Sequence, residues 1–240
     1  MRRIRIVVAY DGTNYCGWQI QPNGITIEEI LNRQISKLTG EDIRIIGASR
    51  TDSGVHALGN VAVFDTESRI PGDRFAYALN QKMPEDIVIV RSDEVQIDWH
   101  PRYQNEISKT YEYHIYNAKV RNPLKNRYST FVSFDLDVEK MRQGAKYILG
   151  EHDFASFCNV RTNAKDTVRT VHEITIKEIP MDKFQASNWG QENSNLENEK
   201  EIVIRVTGNG FLYNMVRIIA GTLPPCKRYP CRLRQQRRFV

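Results

Sequence analysis

The hydrophobic residues of the chain follow two different periods, and the first of these predicts strands. Near the N-terminus Ile4, Ile6, Val8 and Tyr10 alternate with other residues, which is the period of a half-buried strand. The same pattern predicts further strands at 43–46, 61–64, 87–91, 108–117, 171–179 and 202–207. Between the predicted strands at 43–46 and 61–64 lies a polar segment, 49–59, that contains glycine.

The second period predicts helices. Thr26 and Glu29 form a capping box at the start of a helix that Gly40 ends. Its apolar face consists of Ile27, Ile30, Leu31, Ile35 and Leu38. Further helices are predicted at 73–82, 138–149 and 211–220.

This mixed order of strands and helices predicts an α+β protein with two comparable halves, 1–105 and 106–223. We expect the halves to share a mixed, mainly antiparallel sheet flanked by helices. Residues 182–200 are polar and predict an exposed loop.

Composition and charge add limits to this picture. The chain has 240 residues, 40% of them hydrophobic, which is enough for one large domain or two packed halves. Its net charge is +5, but residues 224–240 contain six basic residues and no acid, so the rest carries −1. A nucleic-acid site in the body must therefore be a local cleft or stripe. The atypical basic tail 224–240 is interpreted as an RNA-binding arm or as the product of an artefact such as a frameshift.

Several classes of protein are disfavoured by the sequence. No apolar run approaches the roughly 20 residues that span a bilayer, and the N-terminus has no signal-peptide pattern. A cytoplasmic protein without membrane contact is therefore predicted. The four cysteines form no Cys-x-x-Cys pair, and the histidines show no metal-ligand spacing, so we expect no metal site.

The densest candidate chemistry lies in the polar segment after the second predicted strand. Arg50, Asp52 and His56 fall within seven residues there. A surface turn explains them, since Asp and Ser favour turns and Gly54 permits a positive φ. A site that joins a carboxylate, a guanidinium and an imidazole also explains them, and composition leaves both open.

Six ordered blocks of the chain resemble the tRNA pseudouridine synthase A family. They lie at 10–19, 50–57, 99–103, 109–117, 150–157 and 209–217, within a similarity that covers about residues 3–223. The block at 50–57 contains Arg-Thr-Asp and is similar to the catalytic motif almost residue for residue. Trp99 and Pro101 depart from the family's third block.

The resemblance implies the fold and the reaction. The fold is that of the pseudouridine synthases, with an active-site cleft between the halves. The implied activity is isomerisation of uridine to pseudouridine at positions 38, 39 and 40 of the tRNA anticodon stem–loop. It implies a homodimer with tRNA as its partner. No electrons are exchanged in this isomerisation, so no cofactor is expected.

The resemblance also assigns roles to four residues. Asp52 is the catalytic nucleophile. Arg217 is its salt-bridge partner, and the apolar residues around Arg217 argue against a free surface charge. Tyr111 stacks on the target base, although its alternation with Tyr113 also suits a core position. Arg50 helps to hold the flipped nucleotide.

Residues 102–128 are a second candidate RNA contact. This stretch contains six Lys or Arg residues and five tyrosines, a mixture that suits phosphate contacts and base stacking, or else a solvated loop. Two rival hypotheses for the whole protein are a catalytically silent RNA-binding protein and a metal-dependent nuclease that uses Asp52 and nearby histidines.

Overall fold

A computed structural model describes residues 1–103, 108–159, 166–180 and 199–223. These residues form two compact units, 1–103 and the described residues from 108 onward. The predicted boundary between the halves, the basic tail and most of the predicted loop at 182–200 lie outside the described residues.

The first unit is a four-stranded antiparallel sheet with two helices. The strand order is β2-β3-β1-β4. Its elements are β1 (Arg2–Tyr10), α1 (Ile27–Thr39), β2 (Ile46–Gly47), β3 (Ala57–Thr66), α2 (Phe75–Asn80) and β4 (Ile87–Val95).

The period-two face of β1 builds the core of this unit. Ile4, Ile6 and Val8 are fully buried, and they belong to one cluster with Ile27 and Leu31 of α1. The helix begins where the capping box predicts, because the Glu29 amide donates to Thr26 Oγ1 at 3.3 Å. It ends at Gly40, whose φ of 76° is left-handed.

The second unit is a five-stranded sheet with two helices. The order is β6-β5-β9-β8-β7, in which only the β5–β6 pair is parallel. Its elements are β5 (Lys109–Asn117), β6 (Thr130–Val132), α3 (Val138–Ala145), β7 (Gly150–Asp153), β8 (Val168–Pro180), β9 (Lys200–Gly208) and α4 (Met215–Thr222).

The predicted α+β class with mainly antiparallel pairing is confirmed. The structure differs from the expectation of one shared sheet, because the described strands pair within each unit and form two sheets. An alternating pattern identifies a strand but says nothing about which edge it pairs with, so the sequence could not make this distinction.

Two predicted boundaries shift for local reasons, and two short strands were not predicted. The predicted strand at 43–46 is extended, but the Ile43 and Ile45 amides donate to Ser36 Oγ and Asn32 Oδ1 of α1, both at 2.9 Å, so pairing begins only at Ile46. α4 begins at Met215 rather than at 211, because the left-handed φ of 62° at Asn214 interrupts the helix. β6 and β7 were not predicted, since strands of three and four residues are too short to show a period.

A helix long and apolar enough to cross a membrane is not found in the described part of the chain.

Candidate active site

The residues around Asp52 form the connection between β2 and β3, which we call the Asp52 loop (residues 48–56). Asp52 is half-buried and is the first residue of a turn in which the Val55 amide donates to its carbonyl at 3.1 Å. Gly54 has a φ of 75°, the positive value that some β-turns require at their third position. The polar composition of this segment therefore does reflect a turn, which is one of the two explanations that the sequence allows. The turn also fixes the backbone that carries the carboxylate.

Residues 10–18, which we call the brace, hold the Asp52 loop through backbone groups. The Trp18 amide donates to the Thr51 carbonyl at 3.0 Å. The Tyr15 carbonyl accepts from the Gly54 amide at 3.2 Å and from Ser53 Oγ at 3.3 Å. Three hydrogen bonds within four residues leave the segment that carries Asp52 little conformational freedom.

Gly17 allows the brace to approach this closely. Its φ is 87°, and a Cβ atom there would lie 2.5 Å from the Thr51 carbonyl oxygen and 3.0 Å from the Asp52 carbonyl carbon. Gly12 plays the same part at the other end of the loop, where a Cβ would lie 2.0 Å from the Val55 oxygen. Both glycines lie in the first block of the family resemblance, but nothing in the sequence alone says which backbone they approach.

The brace is itself anchored to Asp86, the residue directly before β4. Tyr15 Oη donates to Asp86 Oδ1 at 2.6 Å, and the Asp11 amide donates to the Asp86 carbonyl at 2.9 Å. Burial, together with the hydrogen bond to Asp86, raises the pKa of the Tyr15 phenol above its usual value. Tyr15 is therefore a neutral hydrogen-bond donor at physiological pH.

His56 closes the loop from inside the first unit. Its side chain is buried, and Nδ1 accepts a hydrogen bond from the Gly12 amide at 3.1 Å and lies 2.9 Å from Asp11 Oδ1. These contacts join the loop to the brace once more. Across the described ranges, no group of three or more His, Cys, Asp or Glu side chains is arranged to hold a metal ion.

Arg50 lies in the same loop, two residues before Asp52. Its side chain is exposed, so the guanidinium is accessible to a ligand such as a phosphate. The structure thus brings two of the four predicted site residues together on one connection.

Tyr111 belongs to β5 in the second unit. It shares a face with Tyr113 and Ile115, but those two are buried whereas Tyr111 is only half-buried. Its ring meets Phe211 edge to face, with centroids 5.3 Å apart. Tyr111 therefore lies at the solvent-accessible end of a buried stripe formed with Tyr113 and Ile115. Its ring is more accessible to a ligand there than a fully buried ring would be.

Arg217 is in the first turn of α4, which packs against β5. Met215, Val216, Ile219 and Ala220 around it are buried. The Arg217 Nε and Nη2 atoms are themselves shielded from solvent. A guanidinium in such a place needs compensating negative charge or acceptors, so a free surface charge is a poor description of Arg217.

The basic and aromatic stretch at 102–128 is largely engaged with the protein itself in its described part. Arg102 Nε donates to the Gly47 carbonyl at 2.7 Å, Lys119 pairs with Asp135 at 3.2 Å, and Lys125 lies 3.5 Å from Glu201. Arg121 lies over the Phe131 ring at 5.1 Å. These contacts favour structural roles for those four residues.

Comparison with known proteins adds an independent line of evidence. Residues 6–104 and 145–234 match the family described as tRNA pseudouridine synthase. Among curated proteins, the tRNA pseudouridine synthase A of Acetivibrio thermocellus is 47% identical over 224 residues, which cover 93% of this chain and 83% of that protein. The protein of the same name from Thermoanaerobacter sp. (strain X514) is 44% identical over the same shares of the two chains. That of Brevibacillus brevis is 42% identical over 98% of this chain and 89% of its own length.

Proposed function

Because the chain belongs to the tRNA pseudouridine synthase family, a family of isomerases, we propose that it converts uridine to pseudouridine at positions 38, 39 and 40 of the tRNA anticodon stem–loop. The observation that supports this proposal most strongly is the Asp52 loop. A single carboxylate lies on a tight turn that three hydrogen bonds from the brace hold in place.

The chemistry suits such a carboxylate. Pseudouridine formation breaks the bond between N1 of uracil and C1′ of the ribose, and it forms a bond between C5 and C1′. The atoms of substrate and product are the same, so the net reaction consumes no oxidant or reductant. An ionised Asp52 can act as the nucleophile that keeps one fragment on the protein while the other turns.

We assign the other three residues by the same proposal. Arg217 is the salt-bridge partner that keeps Asp52 ionised, which agrees with the shielded position of its guanidinium. Tyr111 stacks on the flipped uracil, which agrees with its place at the open end of a buried stripe. Arg50 binds the backbone of the flipped nucleotide, which agrees with its exposure.

We further propose that the protein is a cytoplasmic homodimer that binds tRNA and uses no metal or cofactor. Its dimeric state is tested by sedimentation of the purified protein at several concentrations. The absence of a metal requirement is tested by measuring activity after treatment with a chelator.

The decisive experiment uses unmodified tRNA transcripts with single uridines at position 38, 39 or 40. Each is incubated with the protein, and pseudouridine is then mapped at nucleotide resolution. We expect conversion at all three positions and at no uridine outside the anticodon stem–loop. If the protein converts only uridines outside positions 38, 39 and 40, the proposed positions are refuted. Its activity as a pseudouridine synthase would still stand.

The same assay separates the rival hypotheses. A catalytically silent RNA-binding protein would retain the transcripts on a filter but leave every uridine unchanged. A metal-dependent nuclease would shorten the transcripts, and a chelator would prevent the cleavage.

A further inference from the structure

Tyr10, a buried residue of the brace, contacts the Asp52 loop through its hydroxyl group. Tyr10 Oη lies 2.8 Å from Thr51 Oγ1, and Thr51 directly precedes Asp52 in the chain. Tyr10 is 5% exposed, so its hydroxyl approaches the loop from the core of the first unit. We propose that Tyr10 is a positioning residue for pseudouridine formation, which sets the orientation of Asp52 through Thr51. This inference rests on the proposed function.

Thr51 is held through both its carbonyl and its side chain, which makes it the point where the loop is aligned. Its carbonyl accepts from the Trp18 amide at 3.0 Å, and its side chain meets Tyr10 at 2.8 Å. A hydrogen bond to Oγ1 selects one χ1 rotamer of a β-branched residue, whose rotamers are few and stiff. The rotamer and the carbonyl together determine the peptide plane that leads into Asp52.

Asn60 supports the same alignment from β3. Its Nδ2 donates to the Ser49 carbonyl at 3.1 Å and lies 3.5 Å from Tyr10 Oη. Tyr10 Oη accepts from Asn60, and either hydroxyl can donate in its contact with Thr51. The residues on both sides of Arg50, which are Ser49 and Thr51, are therefore tied to two buried side chains of β1 and β3.

This arrangement affects the rate rather than tRNA affinity. Neither Tyr10 nor Asn60 is exposed, so neither can contact RNA. A nucleophile displaced by about 1 Å can lose about 100-fold in rate, whereas the surfaces that bind the rest of the tRNA stay unchanged. The expected signature is a lower rate of the chemical step with an unchanged dissociation constant for tRNA.

The second unit offers a matched control. Tyr113 is 4% exposed, and its Oη lies 2.7 Å from Thr130 Oγ1, so it makes the same kind of buried tyrosine–threonine hydrogen bond. This bond joins β5 to β6. Tyr113→Phe therefore removes an equivalent hydrogen bond and reports the effect of lost stability alone.

The experiment measures single-turnover pseudouridine formation with enzyme in excess, tRNA affinity by filter binding, and the denaturation midpoint. We expect Tyr10→Phe to slow the reaction about 10- to 100-fold with tRNA affinity within about twofold of wild type. Tyr113→Phe should lower the denaturation midpoint about as much as Tyr10→Phe does, and it should keep the wild-type rate. Thr51→Val should reproduce the slow rate, and Thr51→Ser, which retains the hydroxyl, should recover most of it.

A double variant tests whether the hydrogen bond itself carries the effect. Tyr10→Phe combined with Thr51→Val should be no slower than the slower single variant, because both changes remove one interaction. A normal rate for Tyr10→Phe, or equal slowing by Tyr113→Phe, overturns the inference. If Tyr10→Phe does not fold, a normal rate for Thr51→Val also overturns it. Wild-type protein that forms no pseudouridine contradicts the proposed function instead, so the two failures are distinct.

Discussion

The two units hold their candidate residues by different means. In the first unit, Asp52 lies on a connection between two strands, and backbone groups of Tyr15 and Trp18 hold that connection. In the second unit, Tyr111 lies on strand β5 and Arg217 on helix α4, so regular secondary structure places them and side-chain packing surrounds them.

This difference decides which substitutions each region tolerates. Apart from the hydroxyl groups of Tyr10 and Tyr15, the hydrogen bonds from the brace use amide and carbonyl groups that nearly every residue possesses. The brace therefore also depends on backbone geometry and on the absence of a Cβ atom at Gly17. The candidate residues of the second unit depend on the chemical identity of their side chains. We therefore expect added atoms to be harmful at Gly17 and removed atoms to be harmful at Arg217 and Tyr111.

The largest effect is expected at the carboxylate itself. Asp52→Asn keeps the shape of the side chain but removes its ability to act as a nucleophile, so pseudouridine formation should fall by at least about 1000-fold. Binding of tRNA should survive. Asp42→Asn is the control, since Asp42 is exposed in the segment after α1. Substantial turnover by purified Asp52→Asn protein would falsify the assignment of Asp52.

The second-largest effect on activity is expected from removal of the Arg217 charge in the second unit. Arg217→Met replaces a shielded guanidinium with an apolar side chain of similar length, so Asp52 should lose its proposed counter-charge. We expect activity to fall about 100-fold or more. Breaking a buried ion pair also costs about 3–5 kcal/mol of stability.

The control for Arg217 is Arg142→Met on α3, whose side chain is 40% exposed, pairs with Glu139 and Glu178 and donates from Nε to the Ile176 carbonyl at 3.1 Å. Surface pairs contribute about 0–1 kcal/mol and one hydrogen bond about 0.5–1.5 kcal/mol, so that variant should lose less stability than Arg217→Met and keep the wild-type activity. Wild-type activity and melting temperature in Arg217→Met would show that Arg217 is a surface charge after all.

The next effect concerns the brace and uses two glycines with similar backbone angles. Gly17 and Gly40 both have a left-handed φ, at 87° and 76°, but only the Cβ of Gly17 would collide with the Asp52 loop. Gly17→Ala should lower the single-turnover rate about 10- to 100-fold, because the loop must shift. Gly40→Ala should cost about 1–2 kcal/mol of stability from its backbone angle and leave the rate per folded molecule unchanged.

Rate measurements on both glycine variants, corrected for the folded fraction by circular dichroism, decide this point. Equal rates in the two variants would mean that the close approach at Gly17 has no bearing on Asp52.

The sequence predicted much of the fold and the identity of the candidate residues, for reasons that are local. The alternation of Ile4, Ile6 and Val8 and the capping box at Thr26 are patterns within a few residues, and both appear in the structure as expected. The six blocks of family resemblance singled out Asp52 and Arg217 as candidates because each lies within a recognisable motif, and their roles stay predictions.

What the sequence did not predict depends on contacts between distant segments. Gly17 and Thr51 are separated by more than thirty positions, and nothing in either residue type indicates that their backbones touch. The hydrogen bond between Tyr10 and Thr51 is hidden for the same reason, since Tyr10 looks only like the last apolar residue of a strand. The unpredicted contacts are thus concentrated between the brace and the Asp52 loop, which only the folded backbone brings together.

The smallest effect is expected at Tyr111, where side-chain atoms can be removed in two steps. Tyr111→Phe keeps the ring and its edge-to-face contact with Phe211 at 5.3 Å, so the fold and most of the tRNA affinity should remain. If the phenol takes part in removing the proton from C5 of the base, the single-turnover rate should fall by about tenfold, the equivalent of one lost hydrogen bond. Tyr111→Ala should in addition weaken engagement of the target base, because base stacking on an aromatic ring contributes about 1–3 kcal/mol.

A core role for Tyr111 predicts the opposite order of effects. Truncation of a buried aromatic residue costs about 3–5 kcal/mol of stability, so Tyr111→Ala would then unfold early and react normally per folded molecule. Because Tyr111 is half-buried while Tyr113 on the same face is 4% exposed, we expect the stability loss in Tyr111→Ala to be smaller than in Tyr113→Ala. Single-turnover rates and denaturation midpoints of these variants separate the two roles. A destabilised Tyr111→Ala protein with a normal rate, beside an unchanged Tyr111→Phe protein, would remove Tyr111 from the site and leave Arg217 as the second unit's contribution.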